Sequence, residues 1–151
     1  GKFSGLAMQP RYLGRLFVVP AVPMVEVSSW IADADVGVIP FQAVDRNNVL
    51  ATPNKLFEYL EAAVPMVVSD FPEMRRIVQE TGAGVTADAS DPASLGAAIR
   101  ELLDEPSEAR QRRRDSARRA AESTYNWGVQ AKVLRGVYAD LSARIAGRVR
   151  A

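Results

Sequence analysis

The chain has 151 residues, 48% hydrophobic and 25% charged, with 19 Lys and Arg against 18 Asp and Glu for a formal net charge of +1. That length supports one domain with a core of its own, and so small a charge gives no global electrostatic reason to expect nucleic acid as a partner. Cysteine and histidine are both absent, which excludes disulfides, Cys or His zinc sites and any Ser-His-Asp or Cys-His nucleophile, so chemistry falls to carboxylates, Lys, Arg and backbone dipoles.

Residues 1–14 show neither clear periodicity nor a signal-peptide pattern. Leu16 to Val27 is apolar but is broken by Pro20 and Pro23 and is too short to span a bilayer, so the expectation is a cytoplasmic chain. Leu16-Phe17-Val18-Val19 reads as a short strand, and the prolines after it forbid its continuation. Met24 to Ala34 carries Val27, Trp30, Ile31 and Ala34 at helical spacing, and Val36 to Ile39 is the next strand, ended by Pro40. Asp33-Ala34-Asp35 imitates a metal-holding Asp-x-Asp pair but straddles a helix end and a strand start, so no metal is expected there. Residues 41–51, polar and without period, read as a loop between a strand's carboxyl end and the next helix, the place where open parallel sheets bind ligands.

Thr52 then reads as an N-cap with Pro53 at the first helical position. Leu56, Phe57, Leu60, Ala63 and Val64 fall on a core face, and Lys55, Glu58, Tyr59 and Ala62 on an open one. Pro65 closes this helix, and Met66-Val67-Val68 is the uninterrupted apolar run of a strand covered on both sides. A helix opens at Asp70-Phe71-Pro72 with Met74, Ile77 and Val78 buried, and Gly82 ends it. Gly82-Ala83-Gly84 follows a helix and precedes a strand, the reverse of a dinucleotide cradle. Val85-Thr86 is a last short strand, and Asp91-Pro92 caps a helix carrying Leu95, Ile99, Leu102 and Leu103. The alternation over residues 16–104 predicts an α/β core built on a doubly wound parallel sheet, followed by two helices over residues 107–146. The first of these is polar. Its stripe of Arg110, Arg114 and Arg118 reads either as a solvated face balanced by Glu108, Asp115 and Glu122 or as a contact with anionic lipid at the inner face of a membrane. No aromatic residues interleave these arginines, so nucleic acid is not the expected partner. Asn126 caps the last helix, with Leu134, Tyr138, Leu141 and Ile145 on one stripe.

Function gathers at the helix that starts near residue 53. Its unpaired N–H groups and dipole attract phosphate, Lys55 adds a positive charge, and Glu58, one turn inside, is an acceptor suited to paired sugar hydroxyls. Phosphate at the tip and hydroxyls behind it describe a nucleotide. The competing reading is a Lys55–Glu58 ion pair on a solvated face.

The segment Pro53-Asn54-Lys55-Leu56-Phe57-Glu58-Tyr59-Leu60, with Ala62-Ala63, Pro65-Met66-Val67-Val68 and Ser69-Asp70, resembles the donor-site helix and following strand of retaining glycosyltransferases of family 4. Ala34-Asp35-Val36-Gly37-Val38-Ile39-Pro40-Phe41 upstream and Tyr125-Asn126-Trp127 downstream extend the resemblance over about residues 17–141. It implies a GT-B architecture in which Glu58 holds the ribose hydroxyls of a nucleotide-sugar donor, with no separate cofactor; the helix-tip chemistry adds the amides around Asn54 and Lys55 near the diphosphate, and Thr52 completes the candidate donor-binding residues. The first acid of the family's Glu, seven residues, Glu pair would fall at Leu50, which is not an acid. Strands 1 and 2 of the doubly wound order have no counterpart, nor do the diphosphate-clamping Arg and Lys or the acceptor-binding domain. The resemblance therefore implies a single partial domain, inactive alone, from the carboxyl-terminal half of a hexose-transferring enzyme acting on a glycan or lipid-linked acceptor. The alternatives are a non-catalytic α/β module for assembly or membrane docking and, less favoured, a sugar-nucleotide epimerase of similar fold.

Overall fold

The computed structural model describes residues 2–149. A short helix α1 (Lys2–Ala7) and a 3-10 turn (Pro10–Tyr12) precede an irregular stretch, and a second 3-10 turn (Met24–Glu26) runs into α2 (Val27–Ile31). Then follow β1 (Gly37–Ile39), α3 (Arg46–Leu50), α4 (Asn54–Glu61), β2 (Met66–Ser69), α5 (Pro72–Thr81), β3 (Gly84–Ala87), α6 (Pro92–Leu103), α7 (Ser107–Ser123) and α8 (Trp127–Val149). The three strands form one parallel sheet in the order β1-β2-β3, with Gly37 opposite Met66 and Met66 opposite Gly84.

Residues of β2 alternate between the two sides of the sheet, and each side is covered. Met66 and Val68 join Leu56 and Leu60 of α4, Met74, Ile77 and Val78 of α5, and Ala117 and Ala121 of α7 in the larger core cluster. Val67 faces the other way and packs with Ala87 of β3 and Ala98 and Leu102 of α6. Helices on both faces of a parallel sheet make this the expected α/β class.

Local chemistry sets several boundaries. Gly82 ends α5 at φ 64, a left-handed conformation glycine adopts without strain. The Asp91 carboxylate accepts from the Ala93 amide to cap α6, and Asn126 Oδ1 accepts from the Val129 amide at 2.9 Å to start α8.

Other expectations fail for identifiable reasons. Residues 16–19 are not a strand: Phe17, Val18 and Val19 are 75%, 48% and 55% exposed. Residues 16–19 would be strand 3 of the doubly wound order 3-2-1-4-5-6, which pairs with strand 2, and the described residues hold no counterpart of that strand 2, so this backbone finds no ladder. The helix expected over 24–34 stops at Ile31. The loop expected over 41–51 contains α3, because the Asp45 carboxylate accepts from the Asn48 amide at 2.7 Å. Pro53, not Thr52, is the N-cap of α4, and no side chain caps that end. The helix closes at Glu61 instead of running to Val64, with Ala63 at φ 55 where glycine is usual, and the Val64 amide donates back to the Tyr59 carbonyl at 2.9 Å. Tyr59 and Ala62 were expected on the open face but face inward: Ala62 is 7% exposed, and the Tyr59 ring packs against the larger core cluster and Gly37. Leu103 turns outward and Ala98 takes its expected place in the core.

Candidate functional site

The site rests on how α4 is held. Leu56 and Leu60 anchor it to the sheet, while α7 packs alongside through Ala117 and Ala121, whose small side chains let two helix backbones approach closely. Arg113 fixes α7 in place: its guanidinium pairs with Glu105 and donates to the carbonyls of Gly82 (3.0 Å) and Gly84 (3.3 Å). Arg114 donates to the Ala34 carbonyl at 2.9 Å, and Arg110 donates to the Leu103 carbonyl and lies 3.9 Å from the Asp35 carboxylate. Two members of the expected arginine stripe are thus spent inside the fold, and the stripe is not a free basic face.

Between α4 and the α7–α8 junction lies an open groove of about 960 Å³. Asn54, Phe57, Glu58 and Glu61 form its floor, and Met24, Arg118, Glu122, Tyr125 and Trp127 are among its walls. Phe57 and Tyr125 meet across the helix boundary with ring centroids 5.7 Å apart. Glu58 is half-buried, and its carboxylate has no hydrogen-bond or ion-pair partner among the described residues. It makes no ion pair with Lys55, which is exposed and outside the groove. A carboxylate held in a groove with its lone pairs unused can accept hydrogen bonds from a ligand's hydroxyls at no cost in broken internal bonds. Beneath it, burial pushes the Tyr59 phenol above its ordinary range; a backbone hydrogen bond at Val38 opposes this, and the Glu58 charge adds to the rise.

The start of α4 supplies donors. Pro53 has no N–H and its carbonyl accepts from Leu56 at 3.0 Å, leaving the Asn54 and Lys55 amides without an acceptor among the described residues. Of the predicted site residues, Asn54 and Glu58 therefore share one groove. Thr52 opens onto a neighbouring hollow of about 460 Å³ with Arg76, Ile77 and Gln130, on which Phe57, Tyr125 and Trp127 also border. Leu50 ends α3, 51% exposed.

Along the carboxyl ends of the strands, the buried Ser69 hydroxyl reaches the Ile39 (3.1 Å) and Phe41 (2.8 Å) carbonyls and ties β2 to the chain leaving β1. Asp33 is exposed, and the described residues contain no group of three or more acids able to hold a metal. None of their helices is long and apolar enough to cross a membrane.

Sequence reasoning missed Arg118, Glu122 and Met24 as groove residues. The usable signal was Ala117 and Ala121, four apart in an otherwise polar helix, which mark the side of α7 that meets another helix and so place Arg118 and Glu122 at the edge of that contact.

Residues 7–105 match the family described as glycosyl transferases group 1. No curated protein sequence matches the chain. Among solved structures, sucrose-phosphate synthase from Thermosynechococcus elongatus superposes with a TM-score of 0.76 at 19% identity, over 95% of this chain and 34% of that one. The chain thus spans about a third of that enzyme, and the likeness shows a shared GT-B fold.

Proposed function

Because the chain belongs to the glycosyl transferases of group 1, we propose that it is the donor-binding part of a retaining, family 4 type enzyme that takes a hexose from a nucleotide-diphosphate sugar. Glu58 accepts hydrogen bonds from the ribose 2′- and 3′-hydroxyls, and the free amides of Asn54 and Lys55 face the diphosphate at the positive end of α4. The observation that carries this reading is the unpaired, half-buried Glu58 carboxylate one turn behind two unpaired amides.

In the reaction, the bond between the anomeric carbon and the diphosphate oxygen breaks as the acceptor oxygen bonds to that carbon from the same face, and the acceptor's hydroxyl proton passes to the departing diphosphate. Negative charge grows on the leaving diphosphate. Preorganised N–H dipoles stabilise that charge without reorganising, and Lys55 adds an exposed charge nearby. The inward-facing Arg110 and Arg114 give no support to membrane docking through the α7 stripe. Calorimetric titration with a nucleoside diphosphate tests the assignment: Glu58→Gln should bind about tenfold or more weakly, as expected when a charged acceptor is lost, and equal affinity would overturn it.

A further inference from the structure

Resting on Glu58 as the ribose carboxylate, we propose that the remainder of the groove selects the nucleobase and that the base it selects is guanine. The diphosphate at the tip of α4 and the ribose at Glu58 set the direction of a bound nucleotide, since the base leaves the ribose on the side away from the 5′-phosphate. From Asn54 to Glu61 the helix floor rises about 10 Å, the scale of a nucleoside. Besides Glu58 the groove's floor presents Glu61, and its walls present Arg118 and Glu122.

These groups are available. Arg110, Arg112, Arg113, Arg114 and Arg119 of α7 each have a partner in the fold, whereas Arg118 has none among the described residues. Glu122, four residues along, is not paired with it, and Glu61 accepts only from the Ser28 hydroxyl, through one oxygen, at 3.2 Å. A carboxylate with two free acceptor positions discriminates sharply among bases. Guanine alone offers two adjacent donors, N1–H and the N2 amine, to one carboxylate, and its O6 and N7 suit a bidentate guanidinium. Uracil's N3–H lies between two carbonyl oxygens that repel a carboxylate, and adenine and cytosine place a ring-nitrogen lone pair beside their amine. Two carboxylates and one arginine lining the groove therefore match guanine and mismatch the other three, while Phe57 and Met24 offer apolar contact to the ring.

Calorimetry on the 151-residue chain with GDP, ADP, UDP, CDP and inosine diphosphate tests this. GDP should bind about tenfold more tightly than ADP, UDP or CDP, and inosine diphosphate, which lacks the N2 amine, should lose about tenfold against GDP. Arg118→Gln and Glu122→Gln should each erode the GDP preference, with circular dichroism confirming the helices, while Glu58→Gln weakens all five alike. If another base binds as well as guanine, or both groove variants keep the full preference, the base assignment is overturned even though dependence on Glu58 upholds the donor site. If no nucleoside diphosphate binds, or Glu58→Gln changes nothing, both fall together.

Discussion

Substituting alanine for Gly37 tests how the sheet positions the helix that bears Glu58. An ideal Cβ at this position would sit 2.5, 2.6 and 2.7 Å from three atoms of the Tyr59 ring, so the ring must retreat by roughly 1 Å to reach ordinary contact. Tyr59 has little room to move, because it belongs to α4 and packs against the cluster containing Leu56, Leu60 and Met66. Gly37 cannot readily yield either, since its amide donates to the Pro65 carbonyl at 2.8 Å and its strand pairs with β2. Overpacking of this kind costs about 1–3 kcal/mol, which for a domain of this size lowers the melting temperature by about 2–12 °C. Urea denaturation of Gly37→Ala in the wild type and in a Tyr59→Leu background separates the clash from an effect on the strand alone. Leucine lacks the outer ring atoms that collide, so in that background the cost of Gly37→Ala should fall below about 0.5 kcal/mol. An equal cost in both backgrounds would refute the reasoning.

Four further outcomes follow from the structure. At Gly84 an added Cβ would lie 2.0 Å from the backbone oxygen of Met66, so Gly84→Ala should cost more than about 3 kcal/mol and disrupt β2–β3 pairing. Gly82 has open space around it and only its φ of +64 to satisfy, so Gly82→Ala should cost about 1 kcal/mol, and equal melting temperatures for the two would contradict this account. Replacing Arg113 by Met leaves the Glu105 carboxylate, 15% exposed, without its partner and should cost about 3 kcal/mol, much of it regained on adding Glu105→Met; a single variant as stable as wild type in urea would refute the anchoring role of Arg113. The hydrogen bond from Arg75 holds the Asp70 carboxyl below the ordinary carboxylate range. Its contribution is complete above the unfolded value of about 4 and is lost as pH falls through the lower folded value. Arg75→Gln should therefore lower stability slightly near neutrality, by the little an exposed pair contributes, with that deficit vanishing below about pH 4 so that the acid limb flattens; urea denaturation showing the same deficit at pH 7 and pH 3 would contradict this.

What could be read in the residues was what local chemistry decides. Met66 to Ser69 shows as a buried strand from its composition, Gly82 and Asp91 mark a helix end and a helix start, and both do so in the fold. Elements that depend on a distant partner were not legible. Leu16 to Val19 has strand composition but no neighbouring strand among the described residues, and strand structure exists only in pairs. Tyr59 looks exposed on a helical wheel because the wheel cannot know that Gly37, 22 positions earlier, leaves space for its ring. Arg110 and Arg114 resemble a solvated stripe until the carbonyls of Leu103 and Ala34 claim them. For the site, Asn54 and Glu58 could be named because helix-tip chemistry is local. The wall facing them could not, since it depends on how α7 packs against α4.

The central claim, that Glu58 holds the ribose of a nucleotide, is tested most directly by a cycle on both sides of the contact. Dissociation constants are measured for a ribonucleoside diphosphate and its 2′,3′-dideoxy analogue, each with wild type and Glu58→Gln. Hydrogen bonds to a charged acceptor contribute about 1.5–3 kcal/mol against about 0.5–1.5 for a neutral one, so removing the hydroxyls should weaken binding to wild type by tenfold or more and distinctly less to the variant, whose amide oxygen accepts without charge. An equal penalty for the dideoxy analogue in both proteins would contradict the claim.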